Sequence, residues 1–198
     1  MRSVFISVLF ISNITLTEQR HKTALAPVSC LKPSSSPESQ ALALMTVEEK
    51  LKQLGIVLPP PPAAVVAYVP WVRTGNLVFT SGQLPWDRGK MAHAGRLGAE
   101  LTEQHGYEAA RLCAINALAQ LKAAVGDLEK IRRIIRIDGY VHATAGFRGH
   151  PQVLNGASEL FNEVFEARGH HTRLAVGINE MPFDAAVQIT VIAEVAPE

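Results

Sequence analysis

The sequence predicts an α+β protein in which two long amphipathic helices cover one face of a single sheet. Period-2 alternation of apolar residues predicts two closing strands, Thr172–Ile178 and Ala185–Val195. Apolar residues at helical spacing predict the two helices, over Tyr107–Val125 and Val153–Glu166. With a hairpin before the first helix and a strand between the two, the order ββαβαββ is typical of helices that share one side of a sheet.

Residues 1–44 differ in composition from the rest of the chain. The run Val4–Ser12 is apolar but too short to span a bilayer, and Ala26–Gln40 is rich in proline and serine, as flexible linkers are. We interpret this stretch as a mis-assigned start or a disordered extension, with a targeting segment as the alternative. The domain is then expected at 45–198, opening with a short helix that Thr46 caps.

The first half of the expected domain contains turns and short strands. Four prolines, Pro59–Pro62, predict an extended spacer. Ala64–Pro70, followed by Trp71–Thr74 and Leu77–Ser81 around a Gly-Asn turn, predicts the opening hairpin. The stretch Trp86–Ala99 is interpreted as a loop because it contains several glycines.

Start and stop signals bound the two long helices. Thr102 is a candidate N-cap for the first, and Gly126 is positioned to end it. Ile131–Val141 predicts the intervening strand, and Pro151 marks the start of the second helix. The sheet face opposite the helices would have alternating apolar residues and no cover from this chain, which predicts a partner.

Composition narrows the class of protein. The chain has 198 residues, of which 47% are apolar and 19% charged, as expected for a globular domain. Its formal net charge of +1 supplies no general basic field for nucleic acid. Two cysteines, Cys30 and Cys113, do not make a disulfide framework, so a reducing compartment is the default. We therefore expect a cytoplasmic protein without a membrane partner, or an organellar or secreted one if residues 1–44 are a targeting segment.

The strand Thr172–Ile178 contains a candidate anion site. Alternation puts Arg173, Ala175 and Gly177 on one face and the larger apolar residues on the other. A guanidinium over small neighbours has room in front of it for a planar anion, which it can bind bidentately. The alternative is a solvated or salt-bridged arginine on a polar strand face.

Two motifs resemble the signatures of the Rid (YjgF) family of reactive-intermediate deaminases, also called the endoribonuclease L-PSP family. One is Arg-x-Ala-Val-Gly at 173–177, followed by Met-Pro and a closing Val-x-Ile-x-x-Ile-Ala; the other is the strand at 76–85 that contains Ser-Gly-Gln. The resemblance covers roughly Ile56 to Val195. It implies a chorismate-mutase-like fold, homotrimers with ligand sites between subunits, and no metal or organic cofactor.

The resemblance also implies site residues. Arg173 matches the arginine that holds the substrate carboxylate, Tyr68 matches the family's tyrosine, and Ser81 and Gly82 match a pair that lines the pocket. The implied reaction hydrolyses an enamine or imine such as 2-aminoacrylate to a 2-keto acid and ammonia. Arg173 would hold the carboxylate, while Gln188 and Ser81, or a backbone group near Gly82, would hold the water.

Three positions depart from the family pattern. Gln188 stands where Rid deaminases usually have a glutamate, and a neutral amide can orient a water but cannot accept its proton. An asparagine of the deaminating members falls on Ser158, although Asn155 lies one turn earlier and could replace it. Ala175 replaces a frequent cysteine. The alternative function is therefore non-catalytic binding of small carboxylates or carbonyl metabolites at the same cleft.

Two further functions are less favoured by the residues. Arg132, Arg133 and Arg136 could contact the phosphates of RNA, but acidic residues interrupt this run and no aromatic platform accompanies it. We therefore interpret this run as a solvated strand-and-turn face, and ribonuclease activity is the third hypothesis. The pair His170 and His171 does not predict a metal site, since adjacent strand residues point to opposite faces. We interpret two histidines, His93 and His105, as surface residues of a loop and a helix start. The remaining candidates are interpreted as solvated loop residues, with the edge of a cleft as the alternative: His142, Arg148 and His150.

Overall fold

The computed structural model describes residues 45–61 and 67–197. This part of the chain contains three α-helices, two of them long, and seven strands. The helices are α1 (Val47–Gln53), α2 (Glu103–Val125) and α3 (His150–Phe165). The strands are β1 (Trp71–Thr74), β2 (Leu77–Thr80), β3 (Trp86–Asp87), β4 (Lys90–Met91), β5 (Ile131–His142), β6 (Thr172–Ile178) and β7 (Val187–Val195).

Five strands form one sheet in the order β1-β2-β7-β5-β6. The pairing of β5 with β6 is parallel, and the other pairings are antiparallel. The last strand in the chain, β7, is therefore central and separates β2 from β5. The edge strand β6 can be parallel to β5 because α3 provides the crossover between them.

The core lies between the sheet and the two long helices, which both pack on the same face. Alternate residues of β7, from Val187 to Val195, are fully buried against α2, while Gln188 and Thr190 lie on the opposite, half-buried face. This agrees with the alternation in the sequence, and the predicted α+β arrangement with both helices on one face is confirmed.

Local signals explain where the helices begin and end. Thr46 accepts a hydrogen bond from Glu49 N, and the Glu49 side chain accepts one from Thr46 N, so a complete capping box starts α1. Thr102 and His105 form the corresponding reciprocal pair at the start of α2. Gly126 ends α2 at φ 79°, a conformation that glycine adopts without strain.

The structure differs from the sequence prediction in the first half of the domain. The stretch Trp86–Ala99 is not all loop, because β3 and β4 form a two-stranded hairpin at its start. Residues 67–70 are not a strand, so the opening hairpin consists of β1 and β2 alone. Two-residue strands are too short to give a period-2 pattern, which explains why the first was missed. The predictions for residues 1–44 and 62–66 concern parts of the chain outside the described residues.

Much of the second face of the sheet is exposed in the described part of the chain, although Tyr140 and Ile178 at one end pack against a small cluster of Leu84, Met181 and Ala185. Val72, Phe79 and Leu174 project from it with 51%, 38% and 36% of their surface exposed. Strand pairing places Ile192 beside Phe79, so apolar side chains continue inward across this face. Within residues 45–61 and 67–197, no helix has the length and apolarity needed to cross a bilayer.

Candidate functional site

Arg173 lies on the helix-facing side of β6, beneath α3. Its Nη1 donates to Asn155 Oδ1 at 2.9 Å and to Ser158 Oγ at 3.1 Å. Asn155 and Ser158 are three residues apart and so project from the same side of the helix. The two alternatives left open by the sequence therefore both contact the arginine.

The guanidinium is held by neutral groups. No carboxylate of the described residues lies within ion-pair distance of Arg173, and both of its hydrogen-bond acceptors are uncharged. Burial lowers the pKa of Arg173 from its ordinary value. A half-buried cation without a counterion has lost part of its hydration without gaining a charged partner. A bound anion would offset that desolvation cost.

The open space beside Arg173 is not where the sequence predicted it, over the small residues of the same strand face. A Cβ at Gly177 would meet the His150 ring, so the small residue at that position accommodates His150 instead of leaving room for a ligand. The open space is on the other side of the arginine. There a surface cavity of about 340 Å³ is lined by Ser158, Asn162, His170, His171 and Arg173.

His171 joins this cluster through Ser158. Its Nε2 lies 3.0 Å from Ser158 Oγ, and its Nδ1 lies 2.5 Å from the backbone oxygen of Gly169. Burial is the main cause that lowers the pKa of His171, and the charge of Arg173 acts in the same direction. The ring is therefore neutral at pH 7. Sequence reasoning considered this histidine only as half of a metal pair and missed its contact with α3.

A second cluster lies where β2 ends beside β7. A Cβ at Gly82 would collide with the end of the Gln188 side chain, so the amide of Gln188 rests directly on the Gly82 backbone. Ser81 Oγ donates to Val69 O at 2.6 Å, which ties it to the segment that carries Tyr68. Tyr68 itself is half exposed.

The two clusters are on opposite faces of the sheet. Arg173 pairs with Ile137 of β5, a residue of the core beneath the helices. Gln188 pairs with Tyr140 of β5. Tyr140 is three residues after Ile137, an odd number, so Tyr140 and Gln188 both point away from the helices. Strand β5 lies between them. One chain therefore does not bring Arg173 and Gln188 to a common pocket.

Other candidates are also placed by the structure. His142 is buried at 4% exposure, so its interpretation as a solvated loop residue is wrong; it ends β5, and its Nε2 contacts Asn179 O at 3.0 Å. Its Nδ1 lies 3.3 Å from Asp184 Oδ1 without hydrogen-bond geometry. No group of three or more metal-ligating side chains occurs among the described residues.

The basic run is mostly neutralised or exposed. Arg136 pairs with Asp138 at 2.7 Å, and Arg111 of α2, outside this run, pairs with Glu163 of α3 at 2.8 Å. Arg132 and Arg133 are exposed on β5. This arrangement agrees with the prediction of a solvated strand face.

Comparisons with known proteins agree with this fold. The model of the family described as "YjgF/chorismate mutase-like, putative endoribonuclease" matches residues 48–195. Protein TCP17 of Trypanosoma cruzi is 40% identical over 149 residues, which cover 75% of this chain and 93% of that protein. The crystal structure of Atu1372 from Agrobacterium tumefaciens, a protein of unknown function, is 45% identical with a TM-score of 0.71, covering 75% of this chain and 92% of that one. That of a putative endoribonuclease from Shewanella oneidensis MR-1 is 38% identical with a TM-score of 0.75, covering 76% and 100%. The chain belongs to the YjgF (Rid) family, as the two motifs predicted.

Proposed function

We propose that this protein hydrolyses enamine and imine intermediates of amino acids, such as 2-aminoacrylate, to 2-keto acids and ammonia. The observation that carries the proposal is the environment of Arg173. Its guanidinium is half-buried, is fixed by Asn155 and Ser158, borders a cavity and lacks a carboxylate partner among the described residues. A substrate carboxylate would supply the missing charge, and the fixed side chain would place the adjacent imine carbon.

The second cluster would hold the water. Gln188 rests on Gly82, and its amide can donate to or accept from a water molecule. Ser81 offers a hydroxyl next to it. These groups would orient the water for attack. The proposed reaction requires no metal and no organic cofactor.

The active unit is a homotrimer with the site in the clefts between subunits. Arg173 and Gln188 face opposite sides of one sheet, so a second copy must bring its Gln188 cluster to the Arg173 cluster of the first. The apolar face with Val72, Phe79 and Leu174 is available to bury in that contact.

The test follows ammonia and pyruvate release from freshly generated 2-aminoacrylate with the full chain. We expect turnover above spontaneous hydrolysis, and a loss of at least about 100-fold in kcat/KM in Arg173→Ala, because the fixed carboxylate contact is removed. Arg88→Ala is the matched control, since Arg88 is 93% exposed on the β3–β4 turn and should keep wild-type rates. Equal rates in Arg173→Ala and wild type would rule out the proposed site.

A second candidate function is favoured by Gln188 alone. With an amide in place of a carboxylate, the same cleft could bind small carboxylates or carbonyl metabolites without turning them over. In that case the wild type would bind pyruvate in an Arg173-dependent manner yet release no ammonia, and Gln188→Glu would create turnover without changing the affinity. Activity of the wild type would exclude this alternative.

A further inference from the structure

We propose that Ser158 and His171 form a proton relay beside Arg173 and supply the base that Gln188 cannot provide. The inference deepens the proposed function and rests on it. It starts from a chain of three hydrogen-bonded side chains that runs from β6 to α3 and back to the residue before β6.

The direction of each hydrogen bond follows from the backbone. The oxygen of Gly169 can only accept, so His171 Nδ1, 2.5 Å away, carries the proton. In a neutral ring Nε2 is then an acceptor, and the Ser158 hydroxyl donates to it at 3.0 Å. A remaining lone pair of Ser158 Oγ accepts from Arg173 Nη1 at 3.1 Å. These three contacts orient both ring nitrogens of His171 and the hydroxyl of Ser158.

This geometry is that of an activated hydroxyl. A hydroxyl and a base at about 2.6–3.2 Å, with the base oriented by a third group, is the arrangement that proteins use to move a proton onto an imidazole. Here the third group is the Gly169 carbonyl. Gly169 is buried, and a Cβ there would collide with the α3 backbone at Phe161, so the turn that orients the ring is held tightly.

The surroundings keep the ring neutral and able to accept a proton. Arg173 and His170 are the titratable groups adjacent to it on its own segment, and α3 presents Phe161, whose ring centroid is 6.3 Å from that of His171, and Asn162. On β5, Arg136 beside Thr172 is paired with Asp138. A carboxylate bound to Arg173 would offset its positive charge, so substrate binding would raise the basicity of the ring.

The step balances without a co-reactant. Water attacks the imine carbon of a substrate held by Arg173, the C–O bond forms, and the π electrons of C=N move to nitrogen. The water proton passes to Ser158 Oγ as the Ser158 proton passes to His171 Nε2. The imidazolium returns this proton through Ser158 to the nitrogen, which gives the neutral carbinolamine. The hydroxyl proton then moves to the nitrogen by the same route as the C=O bond forms and the C–N bond breaks, so ammonia and the 2-keto acid leave and His171 is neutral again.

The experiment measures kcat and KM for 2-aminoacrylate against pH with the full chain. We expect the wild-type rate to fall on the acid side as His171 gains a proton. His171→Gln keeps hydrogen-bonding capacity but not basicity, and should lose about 100-fold or more in kcat together with the acid limb, while KM changes little. Ser158→Ala should behave in the same way, and Ser158→Thr, which retains the hydroxyl, should recover most of the rate. His93→Gln, on the loop before α2, is the control and should keep both the rate and the pH profile.

The outcomes separate the relay from the proposed function. If Arg173-dependent turnover is present but His171→Gln and Ser158→Ala retain the rate and the acid limb, the relay is wrong and the deaminase function stands. If the wild type shows no Arg173-dependent turnover at any pH, the deaminase function and the relay fail together. A loss in His171→Gln that is equal at all pH values would indicate a merely structural role and would also overturn the relay.

Discussion

Gly82 shows how the absence of one side chain positions another. It is not in the left-handed region, so an alanine there is allowed by the backbone, but its Cβ would take the place of the Gln188 amide. The atom displaced is the end of a flexible side chain, which can swing aside at small cost in stability. The glycine is therefore needed for the position of Gln188 more than for the fold.

Gly82→Ala should consequently separate activity from stability. We expect the free energy of unfolding to change by less than about 1 kcal/mol, and kcat to fall on the order of 10-fold to 100-fold as the water-holding amide moves. Urea unfolding and the 2-aminoacrylate assay measure the two quantities. Adding Gly82→Ala to Gln188→Ala should bring no further loss, because the new Cβ acts only through the Gln188 side chain. Additive losses would mean that Gly82 contributes independently.

At the scale of elements, the crossing of α2 and α3 determines where Asn155 and Ser158 stand above β6. Gly156 lies at this crossing, and a Cβ there would run into the backbone oxygen of Tyr107. Two side-chain contacts flank the crossing: Tyr107 Oη donates to Glu159 Oε2 at 2.7 Å, and Arg111 Nη2 to Glu163 Oε2 at 2.8 Å.

Gly156→Ala should therefore destabilise the protein even though it improves helix propensity. Propensity alone favours alanine by about 1 kcal/mol, whereas forcing apart two closely packed elements costs about 1–3 kcal/mol or more. We expect a lower free energy of unfolding in urea. Gly106→Ala is the matched comparison: its Cβ would meet side-chain methyls of Leu97 and Val153, which can shift, so its cost should be smaller. A stabilised Gly156→Ala would show that the helices separate without penalty.

For the whole molecule, the sheet prevents one chain from bringing the Arg173 and Gln188 clusters together. The two clusters are held on opposite faces by the pleat of β6 and β7 and by the position of β5 between them. Under the proposed function, a second copy that docks on the exposed part of the second face would bring its Arg173 cluster to the Gln188 cluster of the first. In the proposed homotrimer, activity therefore requires assembly of the subunits.

Subunit mixing tests this directly. Arg173→Ala and Gln188→Ala should each be inactive alone, but unfolding and refolding them together in equal amounts should restore about one quarter of the wild-type rate, since a cleft needs one intact residue from each of two random neighbours. Arg173→Ala mixed with the double variant should restore nothing and serves as the control. If the first mixture also stays inactive, both residues must come from one chain.

Several structural features of this protein could be predicted from local sequence patterns. The bounds of β6, the caps at Thr46 and Thr102 and the end of α2 at Gly126 all follow from local backbone and side-chain preferences, and the structure confirms them. The family motifs were likewise local, and they led to the correct family. The β3–β4 hairpin was missed because its strands carry too few residues for a pattern.

Residue order was enough to predict the α+β class, the two long helices, the caps at Thr46 and Thr102, the alternation of β6 and β7 and the residues that resemble a site. How those residues are grouped depends on the way distant segments pack. The parallel pairing of β6 with β5 puts Arg173 under α3, within reach of Asn155, Ser158 and, through Ser158, His171. The register of β7 against β5, which pairs Gln188 with Tyr140, puts Gln188 on the other face. Such groupings depend on strand order and crossover packing between distant segments, and these long-range contacts leave no periodic signal in the chain.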